Sequence, residues 1–228
     1  MLASVYQRYD WNWHAADSEY RLALAGNPGL ALAHQWYSGL LSILRLPDDA
    51  ILESLHTRQL EPLSLPANTA YASMLYRARR YQEAVAQFEF TLKLSPEYQP
   101  ALVALGFTYC ALGAWDAAIR VCEQAANLSN NETWTLSALG YALGRGGYRD
   151  RALAIASELD AAWPAKQFWP SQLAQVHQGL GNLEATFLWL GEALVRHDPA
   201  LTILRADPSY DNLRQDARYE RIVRQLNL

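Results

Sequence analysis

The strongest constraint on this chain is a spacing. Ala16, Ala50, Ala84, Ala118 and Ala152 lie 34 residues apart, and the same step taken from Gly106 lands on Ser4, Ser38, Ala72, Gly140 and Ala174, all of them small. From Pro96 it reaches Pro28, Pro62 and Pro164. Chance does not hold such columns in register over most of a chain. Residues 99–130 show what is being repeated. Leu102, Leu105, Gly106 and Tyr109 recur at the three-and-four spacing of one helical face, Gly113 ends that pattern, and a second follows through Ala118, Val121, Cys122 and Ala125. Two amphipathic helices joined by a tight turn make a hairpin, and small residues at Gly106 and Ala118 let its two backbones approach closely. One hairpin cannot bury its own faces, so the sequence predicts an all-α stack in which each copy covers the next.

A helix-turn-helix unit of this period resembles the tetratricopeptide repeat (TPR). Leu105-Gly106 with Tyr109, then Trp115, Ala118 and Ala125, follow that family's pattern in one copy, and Tyr81, Ala84, Phe88 and Pro96 follow it in the copy before. The resemblance implies a right-handed α-solenoid of about six repeats. The repeats are expected near residues 1–28, 30–62, 65–98, 99–130, 133–164 and 167–198, as one array over 1–198, with C-terminal capping helices over 199–228.

Charged residues make up 18% of the 228 and the formal net charge is −4, so nothing in the composition attracts nucleic-acid phosphates or an anionic membrane surface. The expectation is no nucleic acid through this region and no membrane. Cys110 and Cys122 are the two cysteines; they lack metal-site spacing and are expected as buried thiols. Cytoplasmic location is the default, since no run approaches a membrane span and the N-terminus lacks a signal pattern; a periplasmic one would need an upstream membrane span. Asn127-Leu-Ser and Asn131-Glu-Thr fit the glycosylation acceptor pattern but stand without a secretion signal.

Along the chain the copies differ in informative ways. The first is incomplete, which suggests the excised end of a longer protein. In the second, Arg45-Leu46-Pro47-Asp48-Asp49 replaces the usual glycine turn, with Pro47 opening a helix and acids facing the dipole's positive end. Asp48 shares its register with Asp116, Asp150 and Glu184, all expected in the first turn of a second helix. Ser95-Pro96-Glu97 reads as an N-cap followed by proline at the first helical position. Gly144, Gly146 and Gly147 loosen the fifth turn, and Thr186 stands where the alanine column calls for alanine. From Arg205 the rule changes to a nine-residue pattern seen twice, whose Tyr210, Leu213, Tyr219 and Ile222 are expected to cover the open apolar end of the sixth copy.

Tyr9-Asp10-Trp11-Asn12-Trp13, Ala33-His34-Gln35-Trp36-Tyr37 and the Arg205-to-Arg214 segment are similar to a narrower group. That group is the TPR region found C-terminal to winged-helix DNA-binding, adenylate cyclase or serine/threonine kinase domains in bacterial regulators. It implies a regulatory interaction or ligand-sensing module; a free-standing scaffold of a cell-envelope or cytoplasmic complex is the alternative. No cofactor and no metal site is expected, and no enzyme: the five histidines are scattered, and neither a HExxH pattern nor a nucleophile elbow occurs.

By resemblance to TPR arrays, a second stripe on each first helix lines a concave groove. It comprises Gln35, Tyr76, Arg77, Val103, Phe107, Cys110, Trp134, Tyr141, Arg145, Phe168 and Gln175. This aromatic and amide-bearing composition argues against a carboxylate clamp for acidic C-termini. It suits a protein or peptide segment anchored by aromatic residues, or a flat small ligand. For Trp134, Tyr141 and Phe168 a second role stays open, that of filling space between adjacent copies.

Overall fold

The structure is a computed structural model that describes residues 2–163 and 168–228; Pro164 of the proline column lies outside the described residues. The architecture is all-α, and the helices pair as the period requires. The first copy holds α1 (Leu2–Arg8) and α2 (Trp13–Gly26), the second α3 (Ala31–Ile43) and α4 (Pro47–Leu60), and the third α5 (Leu65–Arg77) and α6 (Tyr81–Leu94). Then come α7 (Gln99–Ala111) with α8 (Trp115–Leu128), α9 (Thr133–Arg145) with α10 (Arg149–Ala162), and α11 (Pro170–Gly179) with α12 (Leu183–Val195). Two 3-10 turns, Pro199–Ile203 and Pro208–Leu213, lead to α13 (Ala217–Gln225). No helix among the described residues is long and apolar enough to cross a membrane.

The hairpins form two compact units. One comprises Met1–Leu94 together with Thr202–Leu228, the other Ser95–Leu201. Within both, the alanine column is sealed: Ala16, Ala50, Ala84, Ala118 and Ala152 are at most 1% exposed. Thr186 is equally buried, and its hydroxyl donates to the Asn182 carbonyl at 2.7 Å, so the polar group in the column is satisfied one turn back. The partner column is as tight. A Cβ built on Gly106 would run into the Cys122 sulfur, and one on Gly140 would stand 2.9 Å from Val176.

A third column emerges at the turns. Trp11, Arg45, Arg79, Gly113, Gly147 and Gly181, again 34 apart, all have positive φ, from 48° to 85°. The left-handed turn is thus a property of every hairpin, and glycine supplies it only in the second half of the chain. Asp48, Asp116, Asp150 and Glu184 do sit in the first turns of α4, α8, α10 and α12.

One local expectation is corrected. Ser95-Pro96-Glu97 forms a turn closed by the Tyr98 amide on the Ser95 carbonyl at 3.2 Å, and α7 starts at Gln99 with Pro100 in its first turn. The tail shows a connection that its local pattern did not give. Asp207 and Asp216 cap its two short helices as the repeated pattern requires, through the amides of Ser209 and Arg218. Long-range hydrogen bonds join the tail to the first and third copies. The Trp13 indole donates to the Leu226 carbonyl at 2.9 Å, the Tyr76 hydroxyl to Asp207 at 2.9 Å, and Arg79 to both oxygens of Asp211 at 2.8 Å. Tyr210, Leu213, Tyr219 and Ile222 are buried, and the tail belongs to the Met1–Leu94 unit.

The crossing at Gly106 yields a direct test. Gly106→Leu should destabilise the protein by about 1–3 kcal/mol in chemical denaturation, because the added side chain must displace Cys122 or part the two helices. An unchanged midpoint would show that the crossing lies elsewhere.

Candidate functional site

In the Ser95–Leu201 unit the first helices α7, α9 and α11 are neighbours, so their outer stripes merge. Val103 and Phe107 of α7 are half-buried against the core of this unit, and the Phe107 ring lies 5.1 Å from that of Tyr141 on α9. Ser137 of α9 is 3.0 Å from the Gln175 amide oxygen on α11. Trp134 is half-buried, with its indole donating to Glu132 at 2.7 Å. Arg145 is exposed and stacks its guanidinium 5.6 Å from the Trp115 ring centre, at the end of the stripe. Phe168 stands edge-on to Trp163 at 5.2 Å, and Trp163 carries Trp189 on one side and Arg196 on another.

Tyr141 and Cys110 are deeper than their stripe companions. Tyr141 is 5% exposed, and the backbone of Gly179 passes so close that a Cβ there would lie 2.6 Å from the Tyr141 carbonyl oxygen. Of the two roles open to Tyr141, this structure gives it the packing role between copies. Cys110 and Cys122 are free and buried. Burial pushes the Cys110 thiol up to about 12 and raises Cys122 as well, so neither forms a thiolate near neutral pH. Burial also pushes the His177 imidazole down from its ordinary value, with Asp160 opposing.

The stripe fares differently in the Met1–Leu94 unit. Gln35 is half-buried on α3. Tyr76 is 7% exposed and donates to Asp207 of the tail, and Arg77 borders a small cavity with Arg205 and Ala206 of the same segment. Here the stripe meets the chain's own C-terminus. Sequence reasoning missed a wider, open cleft of about 690 Å³ in this unit, lined by Asp10, Trp11, Asn12, Trp13, His14, Asp17, Leu44 and Asn227. Its first wall is the aromatic motif that carried the narrower resemblance; what no sequence signal gave is its apposition to Asn227.

His34, Glu53 and His56 bring three metal-ligand types together, their atoms within 4.8 Å of one another. Glu53 and His56 share a face of α4, and His34 reaches them from α3. As built, the trio is a clasp. His34 Nε2 donates to the Pro28 carbonyl at 2.9 Å, while Nδ1 stands 2.5 Å from Glu53. Two ligands of one tetrahedral zinc stand roughly 3.3 Å apart at bond lengths near 2.0–2.1 Å. An ion would have to part this pair.

Residues 75–139 match the family described as tetratricopeptide repeat. No curated protein sequence matches the chain. Among solved structures, PilW, described as a widely conserved type IV pilus biogenesis factor, is 17% identical; the likeness covers 97% of this chain and 95% of PilW, with a TM-score of 0.65. A thermophilic TPR protein of Thermus thermophilus is 18% identical over 87% of this chain and 100% of its own, with a TM-score of 0.60. Pseudomonas aeruginosa pilF is 17% identical over 93% of each, also at 0.60. At such identities the shared property is the fold.

Two measurements follow from the placement of the stripe. Tyr141→Ala should cost about 3–5 kcal/mol of stability, as for other buried aromatic truncations; a loss below about 1 kcal/mol would return Tyr141 to the surface. A thiol reagent should label neither cysteine in the native protein at neutral pH and both after denaturation, whereas rapid native labelling would contradict their burial.

Proposed function

We propose that this tetratricopeptide-repeat chain is a non-enzymatic interaction module, and that its working surface is the stripe of α7, α9 and α11 in the Ser95–Leu201 unit. The observation that carries the reading is the contrast between the two units. The chain's own tail engages Tyr76 and borders Arg77 in one, while Phe107, Trp134 and Phe168 remain half-exposed in the other. Aromatic side chains have few rotors to freeze and a large face to bury, so they anchor a bound segment at low entropic cost. The ligand this suits is an extended or helical protein segment with apolar anchors. The role we assign is regulatory, in the C-terminal part of a bacterial signalling or transcriptional regulator. Support comes from the terminal motifs, Tyr9-Asp10-Trp11-Asn12-Trp13 and the Arg205-to-Arg214 segment, which resemble that group.

A random-peptide display selection against the whole chain tests the surface. Selected peptides should carry apolar or aromatic anchors, and Trp134→Ala should weaken them about tenfold or more while the melting midpoint is kept. Peptides that bind Trp134→Ala and Phe107→Ala as tightly as the parent would contradict the assignment.

A further inference from the structure

The turn column carries an anomaly that the interaction surface does not use. Every hairpin needs a left-handed residue at its turn, and positions 113, 147 and 181 meet the need with glycine. Positions 45 and 79 meet it with arginine, at φ 62° and 63°. A residue with a Cβ is strained there and glycine is not. Strain that a simple substitution would relieve persists where the side chain has a task.

Both arginines border the same cavity, of about 140 Å³, in the Met1–Leu94 unit. Arg77 of α5 and Arg205 of the tail, each half-buried, join the exposed Arg45 and Arg79 to make four arginines at its wall, and no acidic residue is among those that line the space. Two acids of the tail nearby are already engaged. Asp207 accepts from the Tyr76 hydroxyl at 2.9 Å and the Ser209 amide at 2.8 Å, and Asp211 accepts from Arg79 at 2.8 Å and from Arg214 at 2.7 Å. Arg79 is therefore balanced. Arg45, Arg77 and Arg205 have no carboxylate within ion-pair distance among the described residues. Burial pushes the Arg77 guanidinium down from its ordinary value, with Asp207 opposing that only in part. Like charges gathered in a small space are unfavourable unless an anion joins them.

We propose that this cavity binds a small phosphate-bearing anion, held by Arg45, Arg77 and Arg205. Its volume equals the share of about four or five waters in the liquid, enough for a phosphate group and too little for a nucleic-acid strand. Guanidinium forks match phosphate oxygens in pairs, and a dianion answers three unpaired cations better than a monocarboxylate does. The site lies at the turn end of the second and third hairpins, with Arg205 from the tail closing it, so an occupant would bind the tail to the repeats.

Calorimetric titration of the whole chain with inorganic phosphate, at an ionic strength held constant with sodium chloride, tests the site. Saturable binding at one equivalent is expected, weakened about tenfold or more in Arg77→Gln. Arg45→Gly adds a reading that does not depend on the fate of that variant. In chloride alone it should raise the melting midpoint, since it removes both strain and repulsion, and in phosphate that gain should shrink or reverse. No saturable heat, equal binding by Arg77→Gln, or the same gain in both buffers would overturn the proposal. Adenosine monophosphate separates the two sources of the chemistry. Tighter binding than inorganic phosphate would identify the phosphoryl group of a metabolite as the occupant, and weaker binding would identify the free ion.

Discussion

Everything else in this chain depends on how closely two helices can cross. From the second hairpin on, the residues at the crossing are alanine, glycine or serine, with threonine once, and all of them are buried. Gly106 shows the tolerance, since even a methyl group would collide with Cys122. Because the approach is close, dispersion contacts accumulate along both helices and the apolar faces are used up between neighbours. That leaves the outer stripes and the turns free to vary. It is in those places, and not in the columns, that the copies differ chemically.

The variation sorts the array into two halves. In the Ser95–Leu201 unit the turns carry glycine and the stripe carries half-exposed aromatic groups. In the Met1–Leu94 unit the turns carry tryptophan and arginine, and the tail is bound to the repeats through Trp13, Tyr76 and Arg79. A turn that forgoes glycine gives up an unstrained backbone for a side chain. Trp11 lies in the wall of the open cleft, and Arg45 and Arg79 border the basic cavity. The strain of the left-handed residue and the placement of these side chains are thus two aspects of one choice at one register position.

How much of this was legible in the sequence depends on whether the signal was periodic or spatial. The alanine and small-residue columns fixed the hairpins and their pairing, and the acids at the starts of second helices lay where their charge required. Ser95-Pro96-Glu97 misled because proline suits a β-turn as well as a first helical turn, and only Tyr98 closing back on Ser95 decides between them. Tyr141 could not be assigned from its stripe position, since burial there depends on Gly179 of the following copy. The tail's caps were local and readable. Its docking surface was not, because Tyr210, Leu213 and Ile222 say that a face is buried but not against which copy. The clasp of His34 with Glu53 and the gathering of four arginines join segments up to 160 residues apart, Arg45 to Arg205, and no spacing rule reaches that far.

The central claim is that the C-terminal segment is a structural layer of the first three hairpins, and the partner surface we propose is the stripe of the last three. Hydrogen exchange on a chain ending at Leu201, set against the full chain, tests this most directly. Amides of α2, α3 and α5 should lose protection while those of α7, α9 and α11 keep theirs. Unchanged protection in the first group, or an equal loss in both, would contradict it.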